Sequence, residues 1–156
     1  MNKKKNRSSL SDVQLPVCII CDIDGTLVAP VMSRGNECDY TFIKPVADIL
    51  ARYYEPQPGE NKIHLFLCTG RKDAARTPTE ISLKEKGIQY DRLFMREGDD
   101  PAKDAIVKKE IFERHIKGKF NVLFVLDDRP SVCEMWVKQG LFVLNCNQDP
   151  MCRNPF

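Results

Sequence analysis

Three short polar bursts, each directly following an apolar run, carry the residues of this chain best suited to chemistry. Asp22-Ile23-Asp24-Gly25-Thr26-Leu27 follows Val17 to Cys21. Cys68-Thr69-Gly70-Arg71 follows Ile63 to Leu67, and Asp127-Asp128-Arg129 follows Asn121 to Leu126. Side chains two apart on a strand project to the same side, so Asp22 and Asp24 can share one site, and Gly25 lets the backbone turn away without a Cβ clash. Bringing Asp127 and Asp128 beside them sets four carboxylates against one another unless protons or a cation neutralise them. Mg²⁺ suits such a cluster, because it prefers oxygen ligands, keeps waters and commonly binds one or two carboxylates together with a substrate phosphate. One Asp-Gly pair would mean little, since both residues are common in turns and helix caps. Three coordinated strand ends are not explained in that way.

The elements that must position these residues are legible from periodicity. Apolar strands are expected at Val17–Cys21, Ile63–Leu67 and Asn121–Leu126, with weaker ones at Arg92–Met95 and Leu141–Leu144. Helices are expected over about Pro45–Tyr54, Pro78–Lys86, Ala102–Ile116 and Ser131–Gln139, with Pro45 and Pro78 in first turns and Gly87 and Gly140 just past helix ends. Strands buried on both faces and alternating with helices predict an α/β fold: a three-layer, Rossmann-like parallel sheet with helices on both faces. In such sheets ligands sit beyond the carboxyl ends of the strands, where the polar bursts lie. The domain is expected over residues 16–146, between a flexible N-terminal arm, 1–15, and a C-terminal tail, 147–156.

Composition narrows the function classes. The chain has 156 residues, 42% hydrophobic and 29% charged, which fits one domain with a sizeable core. With 24 Lys and Arg against 22 Asp and Glu, the formal charge of +2 excludes a histone-like basic binder and an acidic disordered chain. No apolar run approaches the roughly 18 residues of a membrane span, and the basic start leads into Ser8-Ser9-Leu10-Ser11, so neither a membrane partner nor a secretory signal is expected. Seven cysteines without such a signal predict free thiols and a cytoplasmic setting. Cys18 and Cys21 have metal-site spacing, but residues three apart on a strand face opposite sides. His64 and His115 are read as structural, and Trp136, beside Met135 and Val137, as core.

The motifs carry a resemblance. Asp22-Ile23-Asp24-Gly25-Thr26-Leu27, Thr69-Gly70-Arg71, Lys108 and Asp127-Asp128 resemble the four ordered motifs of the haloacid dehalogenase-type phosphatases. Arg34-Gly35, Arg96-Glu97-Gly98-Asp99, Lys103-Asp104, Val107-Lys108-Lys109-Glu110 and Val132-Cys133-Glu134-Met135-Trp136 are similar in order and spacing to the phosphatase half of the phage polynucleotide kinase/3′-phosphatase. The resemblance implies Asp22 as nucleophile, Asp24 as general acid and base, and Thr69 and Lys108 on the transferring phosphoryl oxygens. It implies Mg²⁺ held by Asp22, the carbonyl of Asp24, Asp127 and Asp128, and substrate contacts from Thr26, Arg34, Gly70, Arg71, Arg96 and Asp104. Only about 40 residues separate Asp24 from the second strand, room for a flap but not a cap domain. Capless members tend to take large substrates. Arg34, Arg71, Arg76, Arg96 and Arg129 could hold the flanking phosphates of a nucleic acid, though Arg71 or Arg129 could instead pair with the acidic cluster. The expectation is a Mg²⁺-dependent polynucleotide 3′-phosphatase acting on a DNA or RNA 3′-phosphate end. The alternatives are a phosphatase for small nucleotides or sugar phosphates and a non-catalytic end-binding module. The kinase half's loop, G-x-x-x-x-G-K-[ST], does not occur in this sequence, so a kinase or ligase would be a separate, unidentified partner.

Overall fold

The computed structural model describes residues 15–29, 41–56 and 58–147. Arg34 and, apart from Leu15 and Asn147, the expected arm and tail lie outside the described residues. In chain order the elements are β1 (Val17–Cys21), β2 (Val28–Ala29), β3 (Thr41–Phe42), α1 (Lys44–Tyr54), β4 (Ile63–Lys72), a 3₁₀ turn (Asp73–Ala75), α2 (Arg76–Glu85), β5 (Arg92–Arg96), α3 (Asp104–His115), β6 (Asn121–Asp127), α4 (Pro130–Lys138) and β7 (Val143–Asn145). Five strands form one parallel sheet in the order β5-β4-β1-β6-β7, while β2 and β3 make a small antiparallel pair.

β1 is central because its residues alternate between two cores. Ile19 and Cys21 pack with Val46 and Leu50 of α1 and Leu83 of α2. Cys18 and Ile20 pack on the other face with Phe112 of α3 and Val132, Met135 and Trp136 of α4. This is the expected α/β three-layer architecture. It also separates Cys18 from Cys21 on opposite faces, as the strand period requires. Burying side chains such as Ile19 and Ile20, at most 1% exposed, contributes roughly 1.5 to 3 kcal/mol each. The chain leaves β1 through α1 towards β4 and β5, then crosses back through α3 to β6 and β7, so the strand order reverses around β1. A crevice at the carboxyl end of β1 follows from that reversal.

Among the boundaries that differ from expectation, two have a clear cause. α2 starts at Arg76, so Pro78 is its third residue; a proline is tolerated there because the first-turn N–H groups have no intrahelical acceptor. β4 runs on to Lys72 rather than ending at Leu67, because Lys72 pairs with Arg96 of β5 after a break in the ladder beyond Cys68. Thr69, Gly70 and Arg71 therefore sit on the strand but at its irregular stretch. Among the described residues, no helix is long and apolar enough to cross a membrane.

At the opposite end of β4, Asp91 ties the loop before β5 to the sheet. Its Oδ2 accepts the Leu65 N–H at 2.9 Å, and Lys62 donates to Oδ1. Burial works to raise its pKa, but those two bonds outweigh burial and hold the carboxyl below the usual range. Asp91→Ala is expected to lower stability at neutral pH by about 1.5 to 3 kcal/mol, the scale of a lost hydrogen bond to a charged group. Because the folded pKa is depressed, this contribution is present above the unfolded value and is lost as pH falls through the folded one. Urea midpoints of the two proteins should converge under acid; a constant gap would remove the ionised carboxylate from the explanation.

Candidate active site

The carboxyl end of β1 opens a cleft of about 250 Å³ lined by Asp22, Asp24, Thr69, Gly70, Arg71, Asp104, Lys108 and Arg129. A larger cleft, about 540 Å³, opens at the amino-terminal end of the strands beside Val17, Tyr53, Lys62 and Ile63. Among the described residues no cluster of metal-ligating groups lines it, whereas Asp22 of the smaller cleft belongs to one.

Backbone bonds fix the site before any side chain does. Asp22 N–H donates to the Leu126 carbonyl at 2.9 Å, which locks the end of β1 to β6 just before Asp127. The chain then reverses over Ile23 to Val28, with the Leu27 and Val28 N–H groups on the Ile23 carbonyl at 2.9 and 2.8 Å. Gly25, at φ +90°, makes that reversal, and a Cβ there would stand 2.1 Å from Asp128 Oδ2. Any other residue would displace a carboxylate of the cluster. Gly70 is constrained in the same way, since a Cβ would meet Asp104 Oδ1 at 2.5 Å.

Asp22, Asp127 and Asp128 each present a carboxylate oxygen within 4.8 Å of the others. Lys108 Nζ reaches in from α3, donating to Asp22 Oδ1 at 2.6 Å and Asp127 Oδ2 at 2.8 Å, and is only 3% exposed. The Thr26 hydroxyl, with one proton to give, lies 3.4 Å from Asp22 Oδ2 and 3.3 Å from Asp128 Oδ1, between the two ends of the cluster. Burial pushes the Asp22 carboxyl up to about 7, against the pull of Lys108, and the Asp127 charge adds to the rise. Burial and the Asp127 charge likewise raise Asp128. Burial tends to lower the Lys108 ammonium, but Asp22 and Asp127 outweigh it and hold its pKa above the ordinary lysine value. One ammonium facing three carboxylates leaves a surplus of negative charge in a poorly hydrated place. An all-oxygen donor set of that charge fits a small hard dication such as Mg²⁺.

Asp24 stands apart, its carboxylate turned to the cleft and gripped by Arg71 through Nε to Oδ2 at 2.8 Å and Nη2 to Oδ1 at 2.6 Å. Arg71 is steadied in turn by Thr79, whose hydroxyl accepts from Nη1 at 3.1 Å. Thr69 is fully buried; its hydroxyl lies 3.4 Å from Asp24 Oδ2 and accepts the Arg71 N–H at 3.2 Å. Asp104 gives one oxygen to Arg96 and the other to Arg129. Arg96 does not line the cleft. Its side chain is 9% exposed and its remaining donors go to the carbonyls of Gly70, Asp100 and Ala102. Arg76 is also outside, on the Leu93 carbonyl and Glu80. Arg71 and Arg129 both pair with carboxylates at the cleft, Asp24 and Asp104.

Sequence reasoning passed over Thr79 and the polar end of Trp136, whose indole Nε1 donates to Asp127 Oδ2 at 3.2 Å. The available signal was general: a buried tryptophan needs an acceptor for its N–H.

The profile of the polynucleotide kinase PNKP phosphatase domain family matches residues 16–150. A protein of Autographa californica nuclear polyhedrosis virus, named for polynucleotide kinase and RNA ligase activities, is 33% identical over 130 residues, 79% of this chain and 18% of its own length. Among solved structures, a chain of a Pnkp1/Rnl/Hen1 complex superposes with a TM-score of 0.75 at 38% identity, over 85% of this chain and 46% of the other. A chain of a Pnkp1/Rnl/Hen1 RNA repair complex gives 0.76 at 35% identity, over 93% and 47%. This chain thus spans less than half the length of these relatives. The HAD domain of the Legionella pneumophila effector Lem4, 12% identical over 90% of both chains with a TM-score of 0.54, shares the fold.

Proposed function

Since the chain belongs to the polynucleotide kinase PNKP phosphatase domain family of HAD-type phosphatases, we propose that it is a Mg²⁺-dependent polynucleotide 3′-phosphatase acting at DNA or RNA ends in nucleic-acid repair. The observation that carries this reading is Asp22, 5% exposed, held by Lys108 and set against Asp127 and Asp128 at the floor of an open cleft rimmed by Arg71 and Arg129. Asp22 attacks phosphorus in line, forming an aspartyl-phosphate and releasing the 3′-alkoxide. Asp24, protonated once substrate phosphate draws the Arg71 fork away from it, gives that proton to the alkoxide and, as the carboxylate so formed, takes one from the water that attacks the acyl phosphate, freeing inorganic phosphate and Asp22. Thr69 and Lys108 balance the charge on the phosphoryl oxygens. Asp22, Asp127, Asp128 and the carbonyl of Asp24 would hold Mg²⁺, which supplies charge neutralisation at the transferring phosphoryl group. The resulting 3′-hydroxyl end suits a separate kinase or ligase partner, as the names of the relatives suggest.

The test compares kcat/KM for 3′-phosphorylated DNA and RNA oligonucleotides, their 5′-phosphorylated counterparts, mononucleotides, a sugar phosphate and nitrophenyl phosphate. Preference for the 3′-phosphorylated oligonucleotides is expected. Preference for a mononucleotide or sugar phosphate would make the protein a small-molecule phosphatase, and binding without hydrolysis would make it an end-binding module. Chelator-treated protein should be inactive and recover with Mg²⁺ or Mn²⁺ but not Ca²⁺, whose looser coordination misplaces the nucleophile. Full activity in chelator would refute the metal requirement.

The Asp104 bridge sets the role of the arginines. Arg129, half-exposed at the rim, binds a flanking or terminal phosphate, while Arg96 acts through Asp104 and holds it in place. Arg129→Ala should reduce kcat/KM for a 3′-phosphorylated oligonucleotide by roughly tenfold to a hundredfold, the scale of one charge-assisted hydrogen bond, with a smaller loss on nitrophenyl phosphate. Equal losses would place Arg129 on the transferring phosphoryl group instead.

A further inference from the structure

Trp136 is the single tryptophan of the chain. It is fully buried in α4, and its ring packs edge-on against Phe112, with centroids 5.8 Å apart. Its polar atom does not simply find a backbone acceptor in the core, for Nε1–H donates to Asp127 Oδ2 at 3.2 Å. That oxygen also accepts Lys108 at 2.8 Å, and Oδ1 accepts the Arg129 N–H at 3.2 Å.

The carboxylate torsion of an aspartate is soft, with broad minima, and a lysine ammonium on a flexible stem constrains it only as a point charge. An indole wedged between α3 and the sheet has no such freedom, so its N–H gives a fixed direction. Each carboxylate oxygen accepts about two bonds. Oδ2 has two donors, and Oδ1, with one, is the oxygen left to a cation shared with Asp22 and Asp128.

We propose that Trp136 is a positioning residue for the metal centre, its indole N–H setting the orientation in which Asp127 offers Oδ1 to Mg²⁺. This rests on the metal-dependent reading above. Groups that orient a ligand from behind typically change metal affinity by about tenfold to a hundredfold when removed. Trp136→Phe keeps an aromatic ring in the core and deletes the donor.

The test follows Mg²⁺ binding to the full chain by the rise in melting temperature, alongside indole emission of the wild type. Wild type should show a saturable rise in melting temperature and a matching change in Trp136 emission. Trp136→Phe, its circular dichroism and its melting in chelator close to wild type, should need about tenfold to a hundredfold more Mg²⁺ for half the shift. The same Mg²⁺ midpoint in folded Trp136→Phe would overturn the proposal while leaving the metal reading intact. If that variant does not fold, the wild type decides: emission that tracks the thermal shift supports the proposal, and emission blind to Mg²⁺ overturns it. No thermal shift in wild type would instead sink the metal-dependent reading itself.

Discussion

Asp22→Asn is expected to abolish turnover, by more than about a thousandfold, while the protein stays folded. The scale is that of deleting a covalent catalyst. The amide has the volume of the carboxylate, so the buried site at the end of β1 is not emptied, and Lys108 keeps Asp127 as its partner at 2.8 Å. What is lost is the attacking charge. The same substitution should change how stability depends on pH when divalent cations are removed. Burial first, with the Asp127 charge adding to it, raises the Asp22 carboxyl from 3.8 to about 7 in the folded chain. Between those values the folded state binds more protons than the unfolded one, so stability falls as pH rises through that window. Asp22→Asn removes the group and with it that part of the slope. Denaturant midpoints in chelator between about pH 4 and 8, together with phosphate release at saturating Mg²⁺, measure both effects. Retention of a tenth of the activity would exclude Asp22 as nucleophile.

The two halves of this site differ in how far sequence alone reveals them. The Asp22, Thr69 and Asp127 bursts are legible because catalysis at a parallel sheet demands particular residue types where apolar runs stop, and the runs themselves are short and strongly apolar. Lys108 is less visible. Within Lys108-Lys109-Glu110 it reads as part of a solvated face, and only the order of motifs singles it out, yet it is 3% exposed where Lys109 is not buried. The direction of Arg96 is hidden for a related reason. Its burial depends on carbonyls that the turn at Asp100 and Ala102 and the irregular stretch of β4 bring to it. Periodicity says nothing about such contacts, which form only when β4 and β5 pair. The extension of β4 to Lys72 has the same origin, since its last rung is set by Arg96 rather than by local propensity. Trp136 shows the limit from the other side: its apolar bulk predicts the core correctly, and its N–H, one atom, belongs to the site.

Lys108→Met should also remove activity, and it should make the fold lean on divalent cations. Lys108 offsets Asp22 and Asp127 at 2.6 and 2.8 Å in a place where all three side chains are almost without solvent. Methionine fills comparable space, so the cost is electrostatic. Breaking a buried ion pair by removing one partner typically costs about 3 to 5 kcal/mol, because the remaining charge is left uncompensated. Here Asp127 and, above about pH 7 where it is ionised, Asp22 lose their ammonium, with Asp128 beside them. A bound dication takes over part of that neutralisation, and a ligand at a hundred times its dissociation constant stabilises by about 2.7 kcal/mol. The variant should therefore melt well below wild type in chelator and recover a larger increment than wild type as Mg²⁺ is added. Activity should not return with stability, because the cation would replace the charge in the cluster and not the contact proposed between the ammonium and the phosphoryl oxygens. Thermal unfolding across a Mg²⁺ titration, read beside turnover of a 3′-phosphorylated oligonucleotide, separates the two losses. A variant as stable as wild type in chelator would mean that the carboxylates are not held ionised against Lys108. A folded variant with near-normal turnover would remove Lys108 from the chemistry.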